Sequence, residues 1–330
     1  MKFSRITDQP FIARTAGTFY SELVANPDIL EFKGNFYFFF RGQGASGHDQ
    51  IGLWSKPSTE ADGINWDKSH TEPIVCVSQT PETHDSGHIL DPAAIAFNSS
   101  IYLYYTSKSK MGENNYSISL SISNDGEVFE KYGNAPVLTN VIAPEVVFHQ
   151  GKIHLFFQRH NVEKDCWDIF KRTSLDGVNF PEDTEGLVFQ PTLSAGSIDS
   201  KSLATVRIFQ EKDTFYLTFG ACQKFLDYPE TFGLAKSMDL INWDRYPGNP
   251  IFTRGEIGSW DEGAIWYPTI HKFKDGLLMW YEGAGTGLKA DSVENKRASM
   301  CARNENYGGY LESSFSEVGV ATFKGELPTW

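Results

Sequence analysis

The chain has 330 residues, with 42 acidic against 29 basic side chains and a formal net charge of −13 at pH 7. No Lys/Arg cluster offsets that charge, which argues against nucleic acid or an anionic membrane as partner. No apolar run approaches membrane-spanning length, and Cys76, Cys166, Cys222 and Cys301 lack CxxC spacing, which argues against a zinc site or a disulfide framework.

A phrase of about sixty residues recurs along the chain, and each copy opens on a proline followed nine residues later by an apolar, β-rich run. The first copy runs from Pro27 to Phe36-Tyr37-Phe38-Phe39-Phe40, then to an Asp62-Gly63 turn with Trp66 and to Pro73-Ile74-Val75. The second has Pro92, Ile101-Tyr102-Leu103-Tyr104-Tyr105, Asp125-Gly126 with Phe129, and Pro136-Val137-Leu138. The third has Pro144, Ile153-His154-Leu155-Phe156-Phe157, Asp176-Gly177 with Phe180, and Leu187-Val188-Phe189. In the fourth, Val206 replaces the proline before Phe215-Tyr216-Leu217, and Asp239-Leu240 with Trp243 precedes Pro250-Ile251-Phe252. The fifth runs from Pro268 to Leu277-Leu278-Met279-Trp280-Tyr281 and stops at Trp330, in the place of the turn aromatic.

Each copy reads as four short strands joined by turns, so five copies predict an all-β chain, a five-bladed β-propeller of four-stranded antiparallel blades filling residues 1–330 as a single domain. The last copy lacks its final run, and Pro10-Phe11-Ile12 supplies one at the opposite end of the chain. Residues near 9–14 are therefore expected to form the outer strand of the last blade and to cover its open edge. The register of Trp66, Phe129, Phe180 and Trp243 marks them as packing residues. Asp85, Asp199 and Asp261 sit in a weaker DxGxI-like repeat and read as turn formers.

In a propeller the loops entering the innermost strands open on one face. Asp28, Asp91, Glu145, Arg207, Trp266, Tyr267 and, deeper, His271 lie around the five strand starts, and Arg41, Arg159 and Glu282 lie at the ends of second strands. Carboxylates, arginines and aromatics around one axis suit a sugar. Glycoside hydrolysis needs one carboxylic acid to protonate the leaving oxygen and one carboxylate to activate water, about 6.5–9.5 Å apart where the anomeric centre inverts. A third carboxylate can keep the acid protonated. Glu262, without a carboxylate counterpart in the other copies, is a reserve acid. Trp260 and Trp266 are candidates for stacking on a sugar ring, and the insert from Tyr281 to Phe315 has the length of a functional loop.

The phrases ANPDILEFKGNFYFFF, LDPAAIAFNSSIYLYY and IAPEVVFHQGKIHLFF resemble the first blades of the five-bladed glycosidase superfamily of arabinanases, xylosidases, invertases and levansucrases, nearest to glycoside hydrolase family 43. The resemblance implies a base aspartate in blade one, a modulating aspartate in blade two and an acid glutamate in blade three. Asp91 matches the second. In blade one the family's place holds Asn26, with Asp28 after the proline, and in blade three it holds Ile142, with Glu145 after the proline. Carried over, Asp28 is the base, Asp91 the modulator and Glu145 the acid of a hydrolase acting on an oligo- or polysaccharide. The displaced carboxylates leave open a catalytically silent carbohydrate-binding propeller, and a glycoside phosphorylase is the third reading, disfavoured because the basic residues are dispersed. No cofactor is expected, save a structural calcium or other ion in the axial channel, near His271. The expected partner is a carbohydrate, with no nucleic acid and no membrane. The expected location is the cytoplasm, or the periplasm or exterior if a leader is removed. The sequence leaves the oligomeric state open.

Overall fold

The computed structural model describes residues 1–330 apart from 68–70, 111–114, 257, 274–275 and 286–314. Among the described residues there are five antiparallel sheets and a single 3-10 turn, Glu182–Thr184. The fold is the five-bladed β-propeller that the repeats predict. The innermost strands are Leu23–Phe32, His88–Phe97, Ile142–His149, Ser202–Glu211 and Ala264–Phe273, one for each copy. In the first three blades two residues of positive φ join the innermost strand to the second: Lys33-Gly34, Asn98-Ser99 and Gln150-Gly151. That is the backbone twist a tight two-residue hairpin requires. The outer strand is usually broken: Glu130–Lys131 and Leu138–Thr139 both pair with Tyr116–Ser123, and in blade one it shrinks to bridges from Ile51 to Val75 and from Ser55 to Asp67. The insert after Tyr281 falls largely outside the described residues.

The described residues divide into two compact units, one of 14–159 and 170–186, the other of 1–13, 160–169 and 187–330. In the first, Phe39, Leu53, Ile89, Leu103 and Tyr105 fill the space between blades one and two, and Tyr104, Leu120, Val146, Leu155 and Phe157 that between blades two and three. The turn aromatics cross these seams as expected. Phe129 meets Phe39 edge to face at 5.7 Å, and Phe180 meets Tyr104 at 6.0 Å. The Asp-Gly turns are held by their aspartates: Asp125 Oδ1 accepts the N–H groups of Glu127 and Val128, and Asp176 Oδ1 those of Val178 and Asn179.

At Gly126 the turn needs glycine for two reasons. Its φ is +85°, and a Cβ there would lie 2.3 Å from the Tyr37 hydroxyl. Gly126→Ala therefore combines left-handed strain with a steric conflict, and a loss of about 3 kcal/mol is expected in chemical denaturation. A loss below about 1 kcal/mol would show that the turn moves freely.

In the second unit, Phe232, Leu234, Ile265, Met279 and Tyr281 form the core between blades four and five. Here the ring closure is visible. Phe11 and Ile12 donate their N–H groups to Val318 O at 2.7 and 3.0 Å, and Val318 N–H returns to Ile12 O at 3.1 Å. Closure also extends further toward the N-terminus, because Ser4–Arg5 pairs with Thr322 and Ala321. The outer strand of blade five is thus in two pieces, like Asp244–Arg245 and Phe252–Thr253 in blade four. Trp330 packs on Tyr216 and Tyr246 of blade four, as a turn aromatic should.

The aspartates of the weaker repeat have a shared structural task. Each is buried and joined to a basic residue on its own blade's outer strand: Asp85 to Lys131 at 2.5 Å, Asp199 to Arg245 at 2.6 Å and Asp261 to Arg5 at 2.6 Å.

Candidate active site

All five innermost strands carry the same irregularity. The residues before the prolines, or before Val206, are Asn26, Asp91, Ala143, Thr205 and Tyr267, and all have positive φ, between 42° and 56°. At each of these points the pairing with the second strand slips. In blade one, for example, Ala25 faces Arg41 and Asp28 faces Phe39, so Asn26-Pro27 stand opposite Phe40 alone. Proline fits because the bulged residue needs no ladder N–H. A bulge at the same place in each copy is an element of the repeat within this chain, and bulges re-aim side chains.

The bulge sets which residues are equivalent between blades. Asp28 opposite Phe39, Glu145 opposite Phe156 and Arg207 opposite Thr218 occupy one equivalent position, which blades two and five fill with Ala93 and Thr269. Asp91 instead occupies the left-handed position, where aspartate and asparagine are tolerated best. In the first unit the innermost strand of blade two packs against those of blades one and three. Asp28, Asp91 and Glu145 are therefore carried at the bulges of three neighbouring strands, and they are 7%, 6% and 5% exposed. Asp28 Oδ2 accepts the Ala94 N–H at 2.7 Å, a reach from blade one to the innermost strand of blade two. The Ala143 N–H is likewise taken by Thr106 Oγ1 at 2.9 Å.

Arg41 is buried, with Nε donating to Asp49 Oδ1 at 2.7 Å. Asp49 also accepts from Gln43 Nε2 at 3.2 Å and from His88 Nδ1 at 2.7 Å. Burial pushes the Asp49 carboxyl up, but Arg41 and His88 together outweigh it and hold it below its usual value. This network at the strand ends of blades one and two was not legible from the repeats, since neither Asp49 nor His88 recurs in another copy. Arg159 is engaged elsewhere: it grips Glu185 through Nη1 and Nη2 at 2.6 and 3.0 Å, beside Arg172, with its guanidinium 4.6 Å from the centre of the Phe170 ring. That ion pair commits the Arg159 guanidinium to a carboxylate of its own blade.

In the second unit Arg207 is buried, donates from Nε to Thr269 Oγ1 at 3.2 Å and lies 4.8 Å from the centre of the Tyr267 ring. The Tyr267 N–H reaches Thr205 Oγ1 at 3.0 Å, so the bulges of blades four and five are tied together. Trp266 is 3% exposed, packs edge-on against Tyr228 and donates to Asp227 at 3.1 Å, which makes it a core residue and not a sugar platform. Trp260 stacks on Tyr281 with ring centres 5.8 Å apart. Glu262 turns its carboxylate back to the Gly258 N–H at 2.5 Å. Glu282 is fully buried and accepts from Ser316 Oγ at 2.7 Å. His271 faces Leu278, two residues beyond the slip in its strand, with Nδ1 3.0 Å from Lys272 O. The described residues bring together no group of three His, Cys, Asp or Glu side chains that could hold a metal ion. None of their helices is long and apolar enough to cross a membrane.

No family model matches the chain, and no curated protein matches it by sequence. Solved structures do match. A thermostable family-43 glycoside hydrolase is similar over 92% of this chain and 90% of its own, with TM-score 0.63 and 16% identity. An endo-1,4-β-xylanase from Bacteroides thetaiotaomicron is similar over 98% and 97%, with TM-score 0.62 and 16% identity. An N-acetylgalactosamine deacetylase from F. plautii, in complex with blood group B trisaccharide, is similar over 98% and 95%, with TM-score 0.69 and 15% identity. At such identities the likeness shows the fold, and the propeller is shared by proteins that act on carbohydrates in more than one way.

Proposed function

We propose that the chain is a glycoside hydrolase acting on an oligo- or polysaccharide, with the bulges of blades one to three as its centre. The observation that supports this reading is that Asp28, Asp91 and Glu145 belong to the bulges of three adjacent innermost strands, on a fold whose solved relatives include glycosidases. Glu145 is the proposed acid, which protonates the departing glycosidic oxygen. Asp28, already in an accepting role toward Ala94, is the proposed base that takes a proton from water, and Asp91 modulates the acid.

One observation favours a second reading, a carbohydrate-binding propeller without activity: the bond from Asp28 to Ala94 ties that carboxylate to the seam between two blades. The same experiment separates the two. Arabino-, xylo-, galacto- and fructo-oligosaccharides, with and without phosphate, are assayed for reducing-sugar release, and N-acetylated sugars for acetate. Reducing sugar from at least one substrate, independent of phosphate, is the expected result. Binding without any release favours the silent propeller, phosphate dependence the phosphorylase, and acetate release a deacetylase.

A further inference from the structure

We infer that a second sugar-recognition site lies before the strand that carries Asp91, in a cavity of about 460 Å³ lined by His48 and Gly87, and that it holds a unit of the substrate chain remote from the cleaved bond. This rests on the glycoside hydrolase reading above. The volume is that of an ordinary ligand pocket. Its walls come from three segments of blades one and two, and they include Ser78, Gln79, Ser86, Ser109 and Lys110. Hydroxyls, an amide and an ammonium supply both donors and acceptors without a dominant charge, which is the chemistry of a polyhydroxylated ligand and not of an anion.

His48 gives the cavity a direction. Its Nδ1 lies 2.7 Å from Gly87 O. A carbonyl oxygen only accepts, so Nδ1 carries the hydrogen and Nε2 of the neutral ring is an acceptor. A sugar hydroxyl is a matching donor. The floor is fixed in advance: Gly87 N–H donates to Lys108 O at 2.8 Å, and Ser86 Oγ donates to Ser109 O at 2.5 Å. The approach is close enough that a Cβ on Gly87 would lie 2.7 Å from the Lys110 backbone. Across the opening, Lys110 pairs with Glu82 at 3.5 Å. Gly87 immediately precedes the strand His88–Phe97, whose bulge carries Asp91, so the cavity lies at the leading end of the strand that bears that carboxylate. A chain placed at the carboxylates can therefore reach the cavity with a unit beyond the one being cleaved.

The test compares kcat/KM on a ladder of arabino- and xylo-oligosaccharides of about two to six units for the whole protein and for His48→Ala and Ser109→Leu, which respectively remove the acceptor and fill the space. The wild type is expected to favour the longest substrates, and each variant to reduce that preference about tenfold, mainly through KM. In parallel, the His48 ring nitrogens are followed by NMR as the same sugars are added, with a shift at Nε2 expected only for the longer ones. Cleavage with the same length preference in all three proteins overturns this inference and leaves the hydrolase reading intact. A His48 shift without cleavage supports the site and removes the hydrolase. Neither cleavage nor a shift with any sugar overturns both.

Discussion

Glu145→Gln is expected to lower kcat on natural oligosaccharides by about 10²–10⁴-fold while changing hydrolysis of activated aryl glycosides by less than about tenfold. A natural leaving group departs as a poor alkoxide unless it is protonated as the bond breaks, whereas a nitrophenolate needs little help. The amide keeps the shape of the side chain and removes the transferable proton. Asp28→Asn should behave differently, because water must be activated whatever the leaving group, so both substrate classes should fall together. Asp91→Asn should follow Glu145→Gln in kind with a smaller effect and a displaced acid limb of the pH–rate profile, since a modulator acts through the acid. Glu262→Gln is the control. Its carboxylate is turned to the Gly258 N–H, and near-wild-type activity is expected. If Glu145→Gln and Glu262→Gln both retain full activity on natural substrates, the acid lies elsewhere. Glu282, fully buried against Ser316, would then have to be tested despite its enclosure.

The repeats disclosed what depends on periodic chain properties. Five prolines or their stand-in, the Asp-Gly turns and the run at Pro10-Phe11-Ile12 are local signals, and they predict the blades, the seams and the closure that the structure contains. The bulges were not legible in the same way. Ala143, Thr205 and Tyr267 adopt the left-handed conformation without any residue preference to announce it, because the neighbouring strands impose it. Only aligned copies hinted at a special position. Side chains whose role depends on a distant partner were the least legible. Arg159 is claimed by Glu185, which lies on the outer side of its own blade, and Trp266 is covered by Tyr228 and Asp227 from another strand connection. His48, Asp49 and His88 escaped attention because residues that appear once give a repeat analysis nothing to compare, although that departure from the pattern was itself the available signal.

Arg5→Ala is expected to destabilise the protein by about 3 kcal/mol, a large effect for a residue so near the end of a chain. Arg5 donates to Asp261 Oδ2 from Nε at 2.8 Å and from Nη2 at 2.6 Å, and the Asp261 side chain is wholly buried while that of Arg5 is 25% exposed. Removing the guanidinium leaves a buried carboxylate with Tyr281 Oη and Ser259 Oγ as its remaining side-chain donors, at 2.9 and 3.1 Å. Most of the cost comes from that stranded charge and not from the loss of a surface ion pair. Arg5→Lys restores the charge but not the fork, so a smaller loss of about 1–2 kcal/mol is expected. Arg5→Ala combined with Asp261→Asn should recover part of the deficit, since the amide carries no charge to strand. Deleting residues 1–12 should exceed every point variant, because it also uncovers the strand Phe315–Phe323. Urea unfolding at neutral pH distinguishes these outcomes. If Arg5→Ala and the deletion both unfold within about 0.5 kcal/mol of the wild type, the N-terminal strand does not hold the ring closed, and the stability of blade five must come from its hydrophobic seam alone.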